Sequence, residues 1–549
     1  MKKKQILKKV TAALLSGALM VGLAACGAAD PSAPSNTPVQ NPPVDETQAA
    51  IDETRTLSTM ENKADKVIIA IAADPTDMTP TNPNATGKNV IIPEIFESLF
   101  DVVGSDYVCV LAEGYTVIDD THWQVTIKDY IYDSEGNHIT ADDVIYSYQW
   151  LEDTGLRQKY DLFGGIEKVN DYTVEFTWTA APTALAALDW IWGQTYIFSQ
   201  AAEQSHNFAT DPIGTGPYTL SSFTSGSSVL LEANENYWEK PDKVLDNHTA
   251  NIQTVEYRVI TEASQRLIGL QSGTIDYAEG IDQNSIGDFR EGGSMADKYQ
   301  VYNSYDNRVY YMFTNQSAGK VGEDENFRLA CYYAVSNDAI ASVLGNAVPA
   351  VTMGSPFFSD YQAKWESDEN YITSTNVELA QDYLAKSSYK GEKLTLITTN
   401  NDLFTDVATI VQNMLLQVGI NCDIVQYEQA TLDGKITEPD SWDIACVRCG
   451  HSSYMISAWN NPMNAADRAT RSMINLGVDD KLTEWYNTCS TQEGHTDQNM
   501  DAMQQYWVEN AYFNPLVIYI TNTVYSTDIA NLYYKDGALV PGACSYYLD

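Results

Sequence analysis

The sequence predicts a mixed α/β protein, and three observations favour that class. Hydrophobic residues make up 44% of the 549 residues and charged residues 19%, so the chain can bury a large core. The length is enough for two to four domains. Short runs rich in Val and Ile alternate with segments of helical periodicity. Units in which a helix joins two parallel strands fit two lobes around a cleft.

Residues 1–25 are predicted to be an export signal rather than part of the fold. A lysine-rich start precedes the apolar run 10–23, which is too short for a comfortable transmembrane helix. The run ends in Leu23-Ala24-Ala25-Cys26, which resembles the lipobox of bacterial lipoproteins and implies lipidation of Cys26. Two acyl chains anchor a protein stably. The alternative is an ordinary signal peptide followed by an unrelated cysteine.

Residues 26–65 are predicted to be the lipidated cysteine and a disordered tether. Prolines alternate with Ser, Ala, Asn and Gln, and apolar content is very low over most of the segment. Such a composition cannot bury enough surface to order itself. The sequence therefore predicts a folded body held near a membrane but free to tumble.

Strand and helix signals follow in turn through the first part of the body. Residues 66–72 form a Val, Ile and Ala run typical of a buried strand, followed by a loop with turn chemistry. Residues 91–100 are predicted to form a helix. Thr140 is predicted to cap a helix whose first turn is acidic and whose apolar residues share one face. Further strands are predicted at 123–127 and 129–132, paired with each other, and at 172–178.

The second part of the body continues the alternation. Residues 263–271 are predicted to be a helix closed by Gly273. Residues 407–418 carry the strongest amphipathic helical pattern in the chain. Strands at 394–398 and 422–426 flank that helix, which predicts a βαβ unit with a parallel strand pair. The remaining predictions are strands at 255–260 and 275–278 and a helix around 327–335.

Charge and cysteine content exclude several classes of function. Lys and Arg number 32 and Asp and Glu 74, for a net charge of −42, which argues against nucleic acid and against an anionic membrane surface as partners. Of eight cysteines, seven remain beside Cys26, and their odd number and irregular spacing predict no disulfide framework. Cys446 and Cys449 form a lone CxxC, which is weak support for a metal site, and none is predicted.

Six segments carry a recognisable series of motifs. Residues 132–147 fit F-x-D-G-x-P-x-T-A-x-D-V-x-x-S, with Asn137 and His138 in place of a small residue and a proline. The other segments are 211–218 (P-x-G-T-G-P-Y), 232–238 (N-x-x-Y-W), 270–276 (L-x-x-G-x-I-D), 327–334 (V-R-x-A-x-x-x-A) and 418–420 (x-G-I). In this order they resemble the large extracellular solute-binding proteins of peptide- and nickel-type ABC transporters, known as family 5.

The resemblance implies a two-lobed, periplasmic-binding-protein-like α/β fold of type II that closes on its ligand like a hinge. The first lobe would comprise 66–307 and 515–549, with an extra subdomain at about 96–209. The second lobe would comprise 308–514. Within the second motif, Gly214 and Gly216 suit a turn that requires positive φ.

The resemblance also suggests ligand-binding residues. In oligopeptide binders, a segment corresponding to 443–454 holds an Asp that takes the peptide ammonium. Here Cys449 stands at a Trp position and Ser452 at the Asp position, so that carboxylate is missing, and Asp77 or another acid would have to replace it. Arg448 and His451 are candidates for a carboxylate or phosphate-like group, since Arg offers a bidentate fork.

Each candidate also has a structural interpretation. Arg448 could form a salt bridge across the lobe, and His451 could lie in a surface loop. Trp190 and Trp192 could form a stacking platform for a ligand, although core packing is the favoured interpretation. The remaining candidates are Tyr454 at the end of that segment, Tyr160 in the extra subdomain, and four residues on the loop after the first strand: Asp77, Thr79, Asn84 and Thr86.

The predicted function is a lipid-anchored binding protein on the extracytoplasmic face of the membrane. It would capture oligopeptides as a monomer, without catalytic residues, metal or cofactor, and deliver them to ABC permease subunits. Within the same class, an oligosaccharide or a nickel chelate is the alternative ligand. Alternatives of another class are a secreted hydrolase and a signalling or adhesion lipoprotein. No GxSxG or HExxH motif occurs, and the six histidines are scattered.

Overall fold

The computed structural model describes residues 50–80, 90–103, 106–154, 162–182, 188–240, 243–358, 360–367, 375–449, 454–458, 480–535 and 537–548. These residues all belong to one compact unit, Gln40–Asp549. Within them, no helix combines the length and the apolar character needed to cross a bilayer.

The strands are numbered in chain order. They are β1 (Ala64–Ile71), β2 (Glu97–Ser98), β3 (Phe100–Val103), β4 (Asp106–Cys109), β5 (Ala112–Asp119), β6 (His122–Ile127), β7 (Phe163–Asn170), β8 (Thr173–Trp178), β9 (Tyr196–Ile197), β10 (Tyr218–Thr224), β11 (Ser228–Ala233), β12 (Ile252–Val259), β13 (Tyr277–Glu279), β14 (Tyr299–Thr314), β15 (Ala347–Pro349), β16 (Leu394–Thr399), β17 (Cys422–Tyr427), β18 (Ile444–Cys449), β19 (Asn514–Ser526), β20 (Ile529–Asn531), β21 (Tyr534–Lys535), β22 (Ala538–Leu539) and β23 (Ser545–Tyr546).

The α-helices are numbered likewise. They are α1 (Ile92–Ile95), α2 (Ala141–Asp153), α3 (Gln200–Ser205), α4 (Ala263–Ser272), α5 (Glu325–Ala334), α6 (Asn337–Leu344), α7 (Val377–Lys386), α8 (Asp402–Val418), α9 (Gln429–Ile436), α10 (Met455–Ala458), α11 (Asp480–Cys489) and α12 (Asp497–Asn510). Short 3₁₀ turns lie at Asp246–His248, Ile286–Phe289, Val321–Glu323, Ala363–Ser367, Pro439–Ser441 and Pro541–Ala543, and a π-helical turn at Asp189–Gly193.

One mixed sheet runs through the molecule in the order β10-β11-β12-β1-β13-β19-β14-β18-β16-β17, with β15 pairing with β19 beside this path. The pairs β1–β12, β1–β13, β16–β17 and β16–β18 are parallel, and the others are antiparallel. The central strands β14 and β19 are 16 and 13 residues long. They therefore connect the two ends of the sheet.

Separate buried clusters cover the two ends. Tyr257 and Tyr525 belong to a cluster on the β1 and β12 end. On the other end, a cluster that we call the Trp442 cluster packs against one face of β14 and β18, and a cluster around Leu415 packs against the other. Burying side chains on both faces explains why β18 carries a single charged residue and β16 none.

A second, four-stranded antiparallel sheet has the order β5-β6-β8-β7. Its core is aromatic: Trp192 is fully buried, with its ring centroid 4.9 Å from that of Phe100 and 5.8 Å from that of Phe176. The interpretation of Trp192 as a core residue is therefore confirmed. The side chain of Trp190 lies outside the described residues.

The long periodic signals are confirmed. Helix α2 begins after Thr140, which forms a capping box with Asp143, and Gly273 closes α4 with a φ of 70°. Strands β16 and β17 pair in parallel around the amphipathic α8. These elements follow from local pattern, because the cap chemistry and the apolar spacing agree.

Three local predictions are wrong. Residues 91–100 form only the four-residue α1 and then the strands β2 and β3, because Glu97 and Ser98 pair with β9 rather than continuing the helix. Residues 129–132 form no strand; β6 pairs instead with β5 and β8. Neither Gly214 nor Gly216 has a positive φ: a Cβ would lie 2.0 Å from the carbonyl oxygen of Ile95 at Gly214 and 2.5 Å from that of Glu94 at Gly216, so close backbone approach requires both glycines.

Candidate functional site

The pairing of the two central strands is interrupted near their middle. Tyr305 on β14 lies opposite Ile520, whereas Val309 lies opposite Ile518, so β14 contains two extra residues there. Such bulges bend a strand and redirect side chains. Tyr305, before the bulge, and Val309, after it, both pack against the Trp442 cluster. The even-numbered residues of β14 therefore face away from this cluster both before and after the bulge.

Three charged side chains meet at this bulge. A guanidinium nitrogen of Arg448, on β18, lies 4.0 Å from a carboxylate oxygen of Asp306. The backbone N–H of Arg308 donates to the other oxygen of Asp306 at 3.1 Å. The group therefore has two positive charges and one negative charge, and it keeps a net positive charge at neutral pH.

These charges are only partly hydrated. Burial raises the pKa of Asp306, although the positive charges of Arg308 and Arg448 oppose that effect. Burial also lowers the pKa of Arg308, and the neighbouring charge of Arg448 lowers it further. Yet the Arg448 side chain is 36% exposed and that of Asp306 23%. Groups that are desolvated but open to water lie in a concave surface.

Aromatic rings surround the arginine group. Tyr310 lies directly opposite Arg448 in the β14–β18 pair, and burial raises its pKa to about 12, so its hydroxyl stays protonated. The guanidinium carbon of Arg448 lies 5.2 Å from the ring centroid of Phe404 at the start of α8. This packing orients a guanidinium that is suited to bidentate binding of a carboxylate. We call Asp306, Arg308, Tyr310 and Arg448 the arginine site.

The loop after β1 holds two of the predicted ligand residues. Asp77 and Thr79 are half-buried, and the backbone N–H of Thr79 donates to the Asp77 carboxylate at 2.9 Å. The preceding residue, Thr76, has a φ of 63°, which is uncommon for a residue other than glycine. Met78 is buried, and its N–H donates to the carbonyl of Ala209. The loop is thus held in a fixed, strained turn.

The other predicted residues lie in different surroundings. Of the segment 443–454, Arg448 is in the arginine site, whereas Cys449 is buried on the opposite face in the Trp442 cluster. Tyr454 is also buried there, with its ring 5.6 Å from that of His495. Five candidates lie outside the described residues: Asn84, Thr86, Tyr160, His451 and Ser452.

Sequence reasoning missed Asp306 and Arg308. Their signal is the polar run Asp306-Asn307-Arg308 inside a strand that is otherwise rich in tyrosine and apolar residues. The predicted salt bridge of Arg448 is present in weak form, because its partner Asp306 is 4.0 Å away. The ion pair leaves part of the guanidinium free to bind a ligand, since Arg has five N–H donors.

The described part of the chain shows no group of three or more His, Cys, Asp or Glu side chains arranged to hold a metal ion. The CxxC pair illustrates why. Cys446 lies in the Leu415 cluster and Cys449 in the Trp442 cluster, so their side chains point to opposite faces of β18.

Comparison with known proteins identifies the class. Residues 106–523 match the model of the bacterial extracellular solute-binding proteins, family 5. A similar curated protein is the oligopeptide-binding protein OppA of Bacillus subtilis, 22% identical over 436 residues that cover 72% of this chain and 76% of OppA.

Solved structures show the same fold. The HbpA2 protein of Haemophilus parasuis aligns with a TM-score of 0.73 and 16% identity, covering 88% of this chain and 100% of HbpA2. The oligopeptide-binding protein AppA of Bacillus subtilis, solved with a nonapeptide, aligns with a TM-score of 0.64 and 17% identity, covering 89% of this chain and 99% of AppA.

The chain belongs to the family 5 bacterial extracellular solute-binding proteins. It has the α/β fold of the periplasmic-type binding proteins of that family, as the sequence predicted. It is a solute-binding protein of ABC importers, it acts outside the cytoplasm, and it is not an enzyme.

Proposed function

We propose that this protein captures short peptides in a cleft floored by β14 and β19 and delivers them to an ABC permease. The observation that carries the proposal is the arginine site, where Arg308 and Arg448 outnumber the single carboxylate of Asp306. A peptide ends in a carboxylate, which a guanidinium pair binds strongly in a partly desolvated site. The names of OppA, and of AppA with its nonapeptide, support the same ligand class.

Hinge closure is part of the proposal. The predicted lobes, 66–307 with 515–549 and 308–514, would be joined by β14 and β19, which cross near the bulge. Closure is supported by a contact between residues assigned to different lobes: a Cβ on Gly537 would lie 2.8 Å from the ring of Phe357. A ligand that binds the closed form better would shift the population towards it.

The location also follows from the sequence. We propose that the signal 1–25 is removed, that Cys26 is lipidated, and that the monomeric body is tethered to the extracytoplasmic face of the membrane. The supporting features are the lysine-rich start, the apolar run and the lipobox. Mass spectrometry of the membrane-extracted protein tests this: an N-terminal diacylated Cys26 is expected, and an unmodified Cys26 contradicts it.

Calorimetric titration of the purified protein with short peptides tests ligand class. The R448Q variant should bind peptides with a free carboxylate about 10- to 100-fold more weakly, because a charged hydrogen bond contributes about 1.5–3 kcal/mol. Peptides with an amidated C-terminus should bind wild type and variant equally. The control is R258Q, which removes a charge from an ion pair with Glu256 on β12, away from the bulge.

Two outcomes would contradict the proposal. One is affinity for oligosaccharides or nickel chelates without affinity for any peptide, which would favour the alternative ligands. The other is turnover of peptides by the purified protein. Equal binding by wild type and R448Q would instead show that another part of the cleft receives the carboxylate.

A further inference from the structure

An acidic side chain lies beside a group of tyrosines at the end of β13. Glu279 is an exposed residue, yet burial raises the pKa of its carboxyl group, a combination expected for a side chain in a concave wall. The hydroxyl of Tyr277 donates to one carboxylate oxygen of Glu279. The hydroxyls of Tyr277 and Tyr534 are 2.9 Å apart. We call these three residues, with Tyr302 and Thr523, the acidic site.

No cation in the described residues forms a salt bridge with Glu279. Arg266 lowers the pKa of Glu279 through its charge, but its guanidinium donates to the backbone carbonyl oxygens of Glu279, Ile260 and Thr261. The second carboxylate oxygen of Glu279 is therefore available to a cationic ligand group. Tyrosine rings beside it provide the aromatic faces that favour an ammonium ion.

The register places the acidic site on a defined face of the sheet. Glu279 lies directly opposite Thr523 on β19, and Thr523 lies directly opposite Tyr302 on β14. Residues directly opposite each other share one face. Tyr302 also stacks on Tyr534, with ring centroids 5.6 Å apart. The acidic site therefore extends over three neighbouring strands.

The arginine site lies farther along the same face. Tyr302 and Tyr310 are both even-numbered residues of β14, and the two-residue bulge between Tyr305 and Val309 preserves that alternation. Arg308 lies within the bulge, close enough to Arg448 for the charge of Arg448 to lower its pKa. Arg448 shares the face because it lies opposite Tyr310. One face of the sheet thus has a carboxylate at one end and two guanidinium groups at the other.

The separation of the two sites sets a ligand length. Arg308 on β14 lies beside a position on β19 about four residues from Thr523. That separation is roughly 14 Å along the strands. Glu279 is two strands away from β14, which adds roughly 10 Å across the sheet. The direct distance is then roughly 17 Å. An extended chain spans at most about 3.3–3.6 Å per residue, so a peptide of about five residues would reach from end to end.

We propose that Glu279 receives the α-ammonium group of a bound peptide of about five residues, while Arg308 and Arg448 receive its carboxylate. The ligand then lies along the even-numbered face of β14 in one direction. Glu279 would supply the acid that the sequence lacks at Ser452. This inference rests on the proposed peptide-binding function and adds the orientation and length of the ligand.

Titration with a set of alanine-rich peptides of three to eight residues tests the inference. Free, N-acetylated and C-amidated forms are compared on wild type and on E279Q. Binding should be strongest near five residues. N-acetylation should weaken binding to wild type about 10- to 100-fold and should not weaken binding to E279Q further. C-amidated peptides should remain sensitive to E279Q.

The control is E262Q, because Glu262 is exposed and its charge, like that of Glu279, raises the pKa of Arg266. It should bind like wild type. Acetylation of the peptide tests the same contact without any substitution, so the test stands even if E279Q is poorly folded. Peptide binding that ignores both acetylation and E279Q would overturn this inference alone. Absence of binding by every peptide would overturn the proposed function.

Discussion

A buried charged cluster provides the sharpest prediction about stability. Nδ1 of His248 lies 2.9 Å from a carboxylate oxygen of Glu97, and Nε2 lies 2.9 Å from one of Asp101. Glu97 also accepts hydrogen bonds from Tyr237 at 2.6 Å and from Trp238 at 2.8 Å. The cluster joins β2 and β3 to a distant turn, and Glu97, Asp101 and His248 are all buried. A fourth charged residue, the partly exposed Lys535, also forms an ion pair with Asp101.

The protonation state of His248 follows from these contacts. Burial alone would lower its pKa, but the charge and hydrogen bonds of Asp101 and Glu97 outweigh that effect and raise the pKa to about 9. The ordinary histidine pKa is 6.5, so the difference corresponds to about 3 kcal/mol. This stabilisation is fully present below about pH 6.5 and is lost as the pH rises through about 9.

We expect H248Q to lower the free energy of unfolding by about 3 kcal/mol at pH 6, because it removes the cation shared by two buried carboxylates; Asp101 keeps its ion pair with Lys535, whereas Glu97 loses its charged partner. Urea unfolding followed by tryptophan fluorescence measures this at several pH values. The difference between wild type and variant should shrink as the pH rises from 7 to 9.5. Burial raises the pKa of Glu94 to about 8, and the charge of His248 opposes this rise. Glu94 therefore lowers stability in both proteins over that range, and it does so more in H248Q until His248 of the wild type loses its charge.

The matched control is H122Q. His122 forms an ion pair with Asp119 at 2.9 Å, but both side chains are exposed. Exposed pairs contribute little to stability, so the control should change it by less than about 1 kcal/mol. A loss in H248Q that is equally large at pH 6 and pH 9.5, or smaller than in the control, would refute the assignment of a buried imidazolium.

Two further predictions concern packing. G214A should destabilise the protein by about 3 kcal/mol or more, since a Cβ would lie 2.0 Å from a backbone oxygen; an unchanged melting temperature would contradict this. A thiol reagent at pH 8 should label Cys109 but not Cys446 or Cys449 in the native protein. Burial raises the pKa of all three thiols, that of Cys449 to about 12, but only Cys109 is partly exposed and within reach of the reagent. Rapid native labelling of Cys446 or Cys449, mapped by peptide mass spectrometry, would show that β18 opens.

Local chemistry made some elements predictable. The capping box of Thr140 and the apolar spacing of residues 407–418 specify α2 and α8 without help from distant residues. The strand pair around α8 follows because a crossover helix imposes a parallel partner. In contrast, residues 91–100 have a helical pattern, but Glu97 and Ser98 pair with β9, about 100 residues away. A local pattern cannot indicate so distant a partner.

The candidate site was only partly predictable for the same reason. Arg448 was found because it lies in a recognisable motif. Asp306 and Arg308 were missed because a polar run inside a strand forms a site only where a bulge redirects its side chains, and the sequence does not show the bulge. Glu279 was missed because its importance comes from Thr523 and Tyr302, which reach it through pairing across three strands.

The central claim is that two halves of this protein close over an intact short peptide. Small-angle X-ray scattering of the purified protein, with and without saturating pentapeptide, tests it most directly. We predict a smaller radius of gyration with peptide, a smaller change when R448Q receives the same peptide concentration, and recovery of the peptide unaltered. An unchanged radius of gyration with every peptide that binds, or a cleaved peptide, would contradict the account.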